Sequence, residues 1–343
     1  MTTNKYVRQM KRLSIALLCW GMTSGAFASS SSTAQCPSSN FGEFVKAFSS
    51  GPEIRKAFIA SPVKYVHVTA DGKIPKVVER SLGVIAADEL KVLLPENAAE
   101  SVLTIEIKEP NRVVVRDEAG HFLKIFVFKH SDCWALSRVE DWAIDAVMEE
   151  ITQSEKLTPG ELELKKGVIF DRLVNKASPE SGIYLYAAAL DSYLDGARKG
   201  SAQAAVSAAG ISLSGQAPRL ENSKILDLFI QASTSIPDAG LALSRFYCDE
   251  GDYDYERPCI NPEKSIATLE SSAQRGSTKA LLRLGEVYET GTVVPSDRPR
   301  ALACYQEAQK KEPESSKPSV ERLATEGVVT NHSIQCIKAG SFR

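Results

Sequence analysis

The sequence predicts an α+β N-terminal domain, a helix plus a curved antiparallel sheet, followed by an all-α helical-repeat solenoid. Three observations predict it. An alternating stretch with β-branched residues occupies the first part, a small-residue helical pattern recurs in the second, and a Pro-Gly breaker at Pro159-Gly160 lies between them. The 343 residues exceed one ordinary core, which agrees with two domains. Their expected bounds are residues 36–150 and 161–330, with a leader at 1–28 and a tail at 331–343.

The leader is read from Lys5, Arg8, Lys11 and Arg12, the apolar run Leu13 to Trp20, and the small-residue site Ala26-Phe27-Ala28. This is the layout of a cleaved secretory signal, with cleavage expected after Ala28. The apolar run is shorter than the roughly 20 residues that span a bilayer, so no lasting membrane anchor is expected. Four of the 41 basic residues leave with the leader, so 37 remain against 43 acids, a formal charge of −6. A mildly acidic chain lacks the basic surface that nonspecific nucleic-acid or anionic-membrane binding requires.

The N-terminal domain opens with Phe41, Phe44, Val45 and Phe48 at helical spacing, continued by Ile54, Ala57 and Phe58. Strands are expected at residues 62–69, 102–108, 112–117, 122–130 and 133–139, with Asp117-Glu-Ala-Gly120 as a hairpin turn. Leu103, Ile105 and Ile107 alternate with Thr104, Glu106 and Lys108, as in a sheet with one wet face. Tyr65, His67, Phe126, Phe128 and Trp134 are the residues that would line a concave pocket. Aromatic residues in strands usually fill the core instead, and that reading has the stronger physical basis here. Trp142 to Thr152 is amphipathic and joins a connection over Ser154 to Gly160.

The C-terminal half is organised by repetition. Ala280, Leu284, Gly285, Tyr288 and Gly291 follow the frame Ala-x3-Leu-Gly-x2-Tyr-x2-Gly. Weaker copies run through Ala239, Leu243, Ser244, Tyr247 and Gly251, and through Ala205, Ala209, Gly210, Leu213 and Gly215, at intervals of 41 and 34 residues. Positions 280, 284 and 288 share a helix face, and Gly285 removes a side chain beside it, so a second helix can approach there. Gly291 suits a left-handed helix end. Each such helix follows another, at Tyr193 to Gly200, Phe229 to Ser235 and Leu269 to Gly276; Glu161 to Lys176 reads as a decayed repeat at the first end. Asn261 before Pro262, and Ser296 or Asp297 before Pro299, mark helix starts. A lone hairpin cannot bury its apolar face, so the series is expected to stack around a continuous core.

Cys36, Cys133, Cys248, Cys259, Cys304 and Cys336 follow the leader. An even number in an exported chain favours disulfides, although six cysteines allow 15 pairings. Cys248 with Cys259 closes a short loop between two helices and is the best-supported pair; Cys304 with Cys336 and Cys36 with Cys133 follow by elimination. There is no Cys-x-x-Cys and no His-Glu-x-x-His, and the four histidines, His67, His121, His130 and His332, form no ligand pair at helical spacing. No nucleophile elbow or phosphate loop is present either, so neither a catalytic residue nor a metal or cofactor is expected. The loop Asp252-Tyr253-Asp254-Tyr255-Glu256-Arg257 is the candidate partner contact, because tyrosine and arginine supply large contacts at little entropic cost.

On the residues of its frame, the C-terminal half resembles the Sel-one-like repeat, a relative of the tetratricopeptide repeat. The resemblance is close over 277–311, recognisable over 201–276 and partial over 182–200. The upstream copies depart from the frame at Ala209, Leu213 and Ser244. It implies a non-catalytic adaptor or inhibitor that binds another protein across a concave wall of first helices. Exported members include immunity proteins that neutralise secreted toxins, so a toxin or envelope protein is the implied partner. Cysteine-rich members associated with β-lactam binding and hydrolysis offer an enzymatic alternative, but their cysteines recur once per helical hairpin at fixed spacing, and here they do not. Residues 40–142, chiefly Phe126-Val-Phe128 and Cys133-Trp134-x-Leu136-x-x-Val139-x-Asp141, resemble the nuclear transport factor 2-like cone. That likeness implies a small-ligand pocket as a further alternative.

Overall fold

In the computed structural model, the structure describes residues 34–85, 90, 103–117, 122–252, 257–331 and 333–337. The leader, residues 118–120 of the turn expected at Asp117 to Gly120, His121, Tyr253 to Glu256 and His332 lie outside the described residues. Cys36 to Arg343 form one compact unit.

Helices α1 (Phe41–Ser50) and α2 (Pro52–Ala57) open the chain as the phenylalanine spacing predicts. Asn40 starts α1 by accepting the Glu43 amide at 3.0 Å. Six strands follow: β1 (Ile59–Asp71), β2 (Ile74–Leu82), β3 (Leu103–Lys108), β4 (Arg112–Asp117), β5 (Leu123–His130) and β6 (Trp134–Asp141). The sheet order is β2-β1-β6-β5-β4-β3. Two features differ from the sequence reading. Strand β2, whose Pro75 and charges hide its strand character, forms a hairpin with β1 from Asp71↔Ile74 to Val63↔Leu82. And β1 runs parallel to β6, with Tyr65 opposite Val139, so the sheet is mixed rather than antiparallel. Long-range pairing of this kind leaves no local trace, because each strand alternates in the same way whichever direction its neighbour runs.

Both faces of the sheet are covered. On one, α1 seats Phe41, Phe44 and Phe48 around Phe128, with ring centroids 5.5, 5.8 and 5.3 Å away. The Cys36–Cys133 disulfide ties the segment before α1 to the start of β6, and the Trp134 indole N–H donates to the Ser39 carbonyl at 2.9 Å. On the other face, Val66, Val114, Leu123 and Ile125 meet Trp142, Ile144, Val147 and Ile151, which lead into and line α3 (Asp145–Ser154). The wet face expected from the alternation of β3 is therefore absent at the centre of the sheet.

The same core continues without a break into α4 (Pro159–Val174), α5 (Pro179–Arg198), α6 (Ala202–Leu213), α7 (Asn222–Ser235) and α8 (Ala239–Asp249). Each helix packs on the next, and the series extends through α9 (Pro262–Gln274), α10 (Thr278–Thr290), α11 (Arg298–Gln309) and α12 (Pro313–Thr325). This is a helical-repeat solenoid whose first end rests on the sheet. Helix α4 occupies the decayed-repeat position and starts with a capping box, in which Thr158 and Glu161 satisfy each other's backbone N–H.

The repeat shows directly in the turns. Gly200-Ser201 and Gly276-Ser277 make the same junction: the serine amide reaches the carbonyl five residues back in the preceding helix, Gly196 or Ser272, and the serine hydroxyl caps the next helix at Ala204 or Ala280. Gly215, Gly251 and Gly291 have φ of 75°, 80° and 72°, as expected for left-handed helix ends. The caps Ser201, Asp238 and Ser277 are 37 and 39 residues apart, so the uneven intervals of the sequence frame came from its register in the weaker copies. The loop from Gly251 to the cap Asn261 is still longer than those from Gly215 to Glu221 and from Gly291 to Asp297.

The core is not continuous along the whole series. One apolar cluster ends with Leu243 and Phe246 in α8, and another begins with Leu269 in α9. The seam between them carries small and polar residues: Ser244 and Ser265 hydroxyls are hydrogen-bonded at 2.8 Å, and Gly240 faces Ser272. Serine cannot extend an apolar cluster, and the Cys248–Cys259 disulfide closes the same seam covalently.

Candidate functional site

The expected partner loop leaves the C-terminus of α8 at this seam. Arg257 turns back on it, donating to the Asp249 carbonyl at 3.0 Å and to the Asp252 carboxylate at 3.2 Å. A guanidinium there gives the Asp249 carbonyl a second donor beside the Asp252 amide, and meets the negative end of the helix dipole. The loop closes with the Ile260 amide on the Cys248 carbonyl and the Asn261 amide on the Tyr247 carbonyl, at 3.1 and 3.0 Å. Asn261 thus occupies the cap position of α9, but its side chain makes no capping bond and its amide reaches Tyr247 at 3.4 Å. Asp297 does cap α11, accepting from the Arg300 amide.

Two grooves open on the helical walls beside the loop. One, of about 380 Å³, lies between α6 and α8 over Phe229 of α7 and is lined by Val206, Leu213, Ala242 and Phe246. The other, of about 370 Å³, lies between α7 and α9 over Leu243 and Tyr247 of α8. Lys264, Thr268, Ser271 and Arg275 form its α9 side and Ser233 its α7 side. The Lys264 ammonium sits 5.7 Å from the Tyr247 ring, whose hydroxyl pKa is raised by burial.

The aromatic residues of the sheet divide into two groups. Phe126 and Phe128 are fully buried against α1, and Trp134 packs on Phe41 at 4.9 Å. Tyr65 and His67 form the second group, with rings 5.4 Å apart. There the Tyr65 hydroxyl donates to Asp141 at 3.3 Å, and Lys124, nearly buried, pairs with the same carboxylate at 2.9 Å. The His67 Nδ1 has no hydrogen-bond partner among the described residues. No group of three or more metal-ligating side chains occurs among the described residues.

The solved structures to which the chain is similar are Sel1 repeat proteins. A protective antigen present in uropathogenic Escherichia coli strains, with an SLR fold, is 17% identical at a TM-score of 0.42 over 53% of this chain and 37% of that one. A Sel1 repeat protein from Oxalobacter formigenes is 16% identical at 0.40 over 56% and 73% of the two chains. A sel1 repeat protein from Klebsiella pneumoniae subsp. pneumoniae is 13% identical at 0.30 over 52% and 90%. No family model matches the chain, and no curated protein matches it. The match spans well under half of the first of these chains.

All three sulfur pairings inferred from the sequence are present: Cys36–Cys133, Cys248–Cys259 and Cys304–Cys336. The last fastens the tail to α11, where the Cys336 carbonyl accepts from the buried Arg300 at 3.0 Å. Arg300 also pairs with Glu270 at 2.6 Å and lies 4.2 Å from the Tyr288 ring, joining α9, α10, α11 and the tail in one buried contact. Sequence reading missed this group, since Arg300 looks like any charge at a helix start.

Proposed function

We propose that the protein is an exported, non-catalytic binding module, an adaptor or inhibitor whose helical walls receive another protein. The observation that carries this reading is the series of stacked hairpins, whose groups are committed to packing and whose open grooves lie on the outer walls. Such a solenoid presents an extended surface that a compact domain of equal length does not. Three disulfides support an oxidising compartment, and among the described residues no helix is long and apolar enough to cross a membrane. A periplasmic or secreted location after cleavage near Ala28 follows as part of the proposal. So does partner contact by Asp252, Tyr253, Asp254, Tyr255, Glu256 and Arg257, and the narrower role of an immunity protein against a secreted toxin.

Capture of a partner from periplasmic extract on the purified protein, identified by mass spectrometry and confirmed with isolated components, tests the reading. A stoichiometric protein partner is expected. Rescue of growth on co-expression with a captured toxin would establish the immunity role. Hydrolysis of nitrocefin by the pure protein would overturn the non-catalytic reading.

A further inference from the structure

We propose that the groove between α7 and α9 receives an extended acidic segment of the protein partner. One carboxylate lies at Lys264, another at Arg275, and an apolar side chain sits between them over Leu243 and Tyr247. The inference rests on the binding-module reading and names the chemistry one of its walls selects.

Charge carries the argument. Most cations on these helices already have carboxylates: Lys199 with Glu163, Arg245 with Asp249, Lys279 with Asp238, Arg283 with Glu286 and Lys310 with Glu307. Lys264 and Arg275 are exceptions on one helix and face one groove. Among the described residues, Lys264 touches the Tyr247 ring and no carboxylate, and Arg275 donates to the Thr234 carbonyl at 3.1 Å and to no carboxylate, which leaves the rest of its guanidinium fork available to a ligand. No carboxylate lines the groove among the described residues. In a chain with an excess of acids, a groove holding two cations and no acid is complementary to an anion. Attraction at contact outweighs the overall negative charge, which salt screens beyond roughly 8–10 Å.

Spacing and lining select a peptide over other anions. Eleven helical residues separate the two cations by about 16 Å, which an extended chain covers in about five residues. The hydroxyl hydrogens of Thr268 and Ser233 are donated to the Lys264 and Ile230 carbonyls, at 2.7 and 2.8 Å. Their oxygens therefore remain as acceptors for the amide N–H groups of a bound backbone. The floor of Leu243 and the Tyr247 ring suits an apolar side chain, whereas a nucleic acid requires a continuous basic track.

The test uses a fluorescein-labelled six-residue peptide with Asp at both ends and Leu at the third position, and the same peptide with both Asp replaced by Asn. Fluorescence anisotropy with the full chain should show the Asn peptide at least tenfold weaker, about 1.4 kcal/mol. The double variant Lys264→Glu/Arg275→Glu should weaken the acidic peptide by at least as much, as should salt at 0.5 M. Both residues are exposed, so an unchanged melting temperature is expected for that variant. Ser271→Trp should block the groove without altering its charge. Equal binding of the two peptides, no binding of the acidic one at millimolar protein, or preferential binding of a single-stranded oligonucleotide would overturn the proposal. If a captured partner binds the double variant as tightly as the parent, the groove assignment fails while the binding module stands. If no protein partner is found, the broader reading fails instead.

Discussion

Gly285 of α10 lies directly beneath the ring of Tyr305 in α11, and a Cβ added at Gly285 would come within 2.5 Å of its Cε1. The joint recurs between Gly167 of α4 and Tyr193 of α5, where the same atoms would be 2.3 Å apart. In both, a glycine on one helix admits a tyrosine from the first helix of the next pair. Burial raises the pKa of both phenols well above the ordinary range. The recurrence identifies α4 as a member of the series, although its sequence has lost most of the frame.

Gly285→Ala and Gly167→Ala should therefore each destabilise the fold by about 1–3 kcal/mol, because the ring must move and neither helix can yield without shifting its neighbours. Gly210→Ala in α6 is the control. Nothing lies within 4 Å of its added Cβ and its φ is not positive, so it should stabilise by roughly 0.5–1 kcal/mol. Urea denaturation followed by circular dichroism measures all three.

The buried pair Glu270 and Arg300 should behave unlike the surface pairs. Glu270→Ala leaves the guanidinium buried with, among the described residues, the Cys336 carbonyl and the Tyr288 ring as partners, and should cost about 3–5 kcal/mol. Glu286→Ala, which removes the exposed partner of Arg283, should cost less than about 1 kcal/mol. Equal losses in chemical denaturation would disprove the distinction.

Disulfide removal should be graded by loop length. In the chain-entropy treatment, replacing Cys248 and Cys259 by Ser costs about 3 kcal/mol and replacing Cys36 and Cys133 costs between 4 and 5, about 1.5 times as much. The sequence separations are 11 and 97 residues. Melting temperatures of the two double variants under non-reducing conditions should follow that order; the reverse order would show that seam packing, not chain entropy, sets the loss.

Acid should weaken the fold below about pH 4.5, the ordinary value for glutamate. Hydrogen bonds from Arg322 hold Glu289 below that value, and Arg138 and Lys108 do the same for Glu79 and Glu106. Ser277 and Lys279 similarly lower Asp238. A lowered carboxylate contributes stability that is complete above its unfolded pKa and is lost as the pH falls through the folded one. Asp191, raised by burial, acts in the opposite sense, but it stands against four. The melting temperature should fall by several degrees between pH 5 and pH 3, and by less in Glu289→Gln. An unchanged melting temperature over that interval would contradict the assignment.

What the sequence determined by itself is the local and the repetitive. The phenylalanine spacing of α1, the left-handed ends at Gly215, Gly251 and Gly291, and the helix start at Asp297 depend on residues within one or two turns of one another, so composition and spacing suffice to read them. The loop at Asp252 to Arg257 was visible as an insertion because repetition supplies its own reference length. The tertiary structure alone decided the rest. Val66 and Val139 read as strand residues in either orientation, and only folding placed β1 parallel to β6. Lys264 and Arg275 are ordinary surface charges in the sequence; they become a pair because α9 presents them to one groove that no carboxylate lines among the described residues. Absence of a partner is a property of three-dimensional neighbourhood, to which distances along the chain are blind.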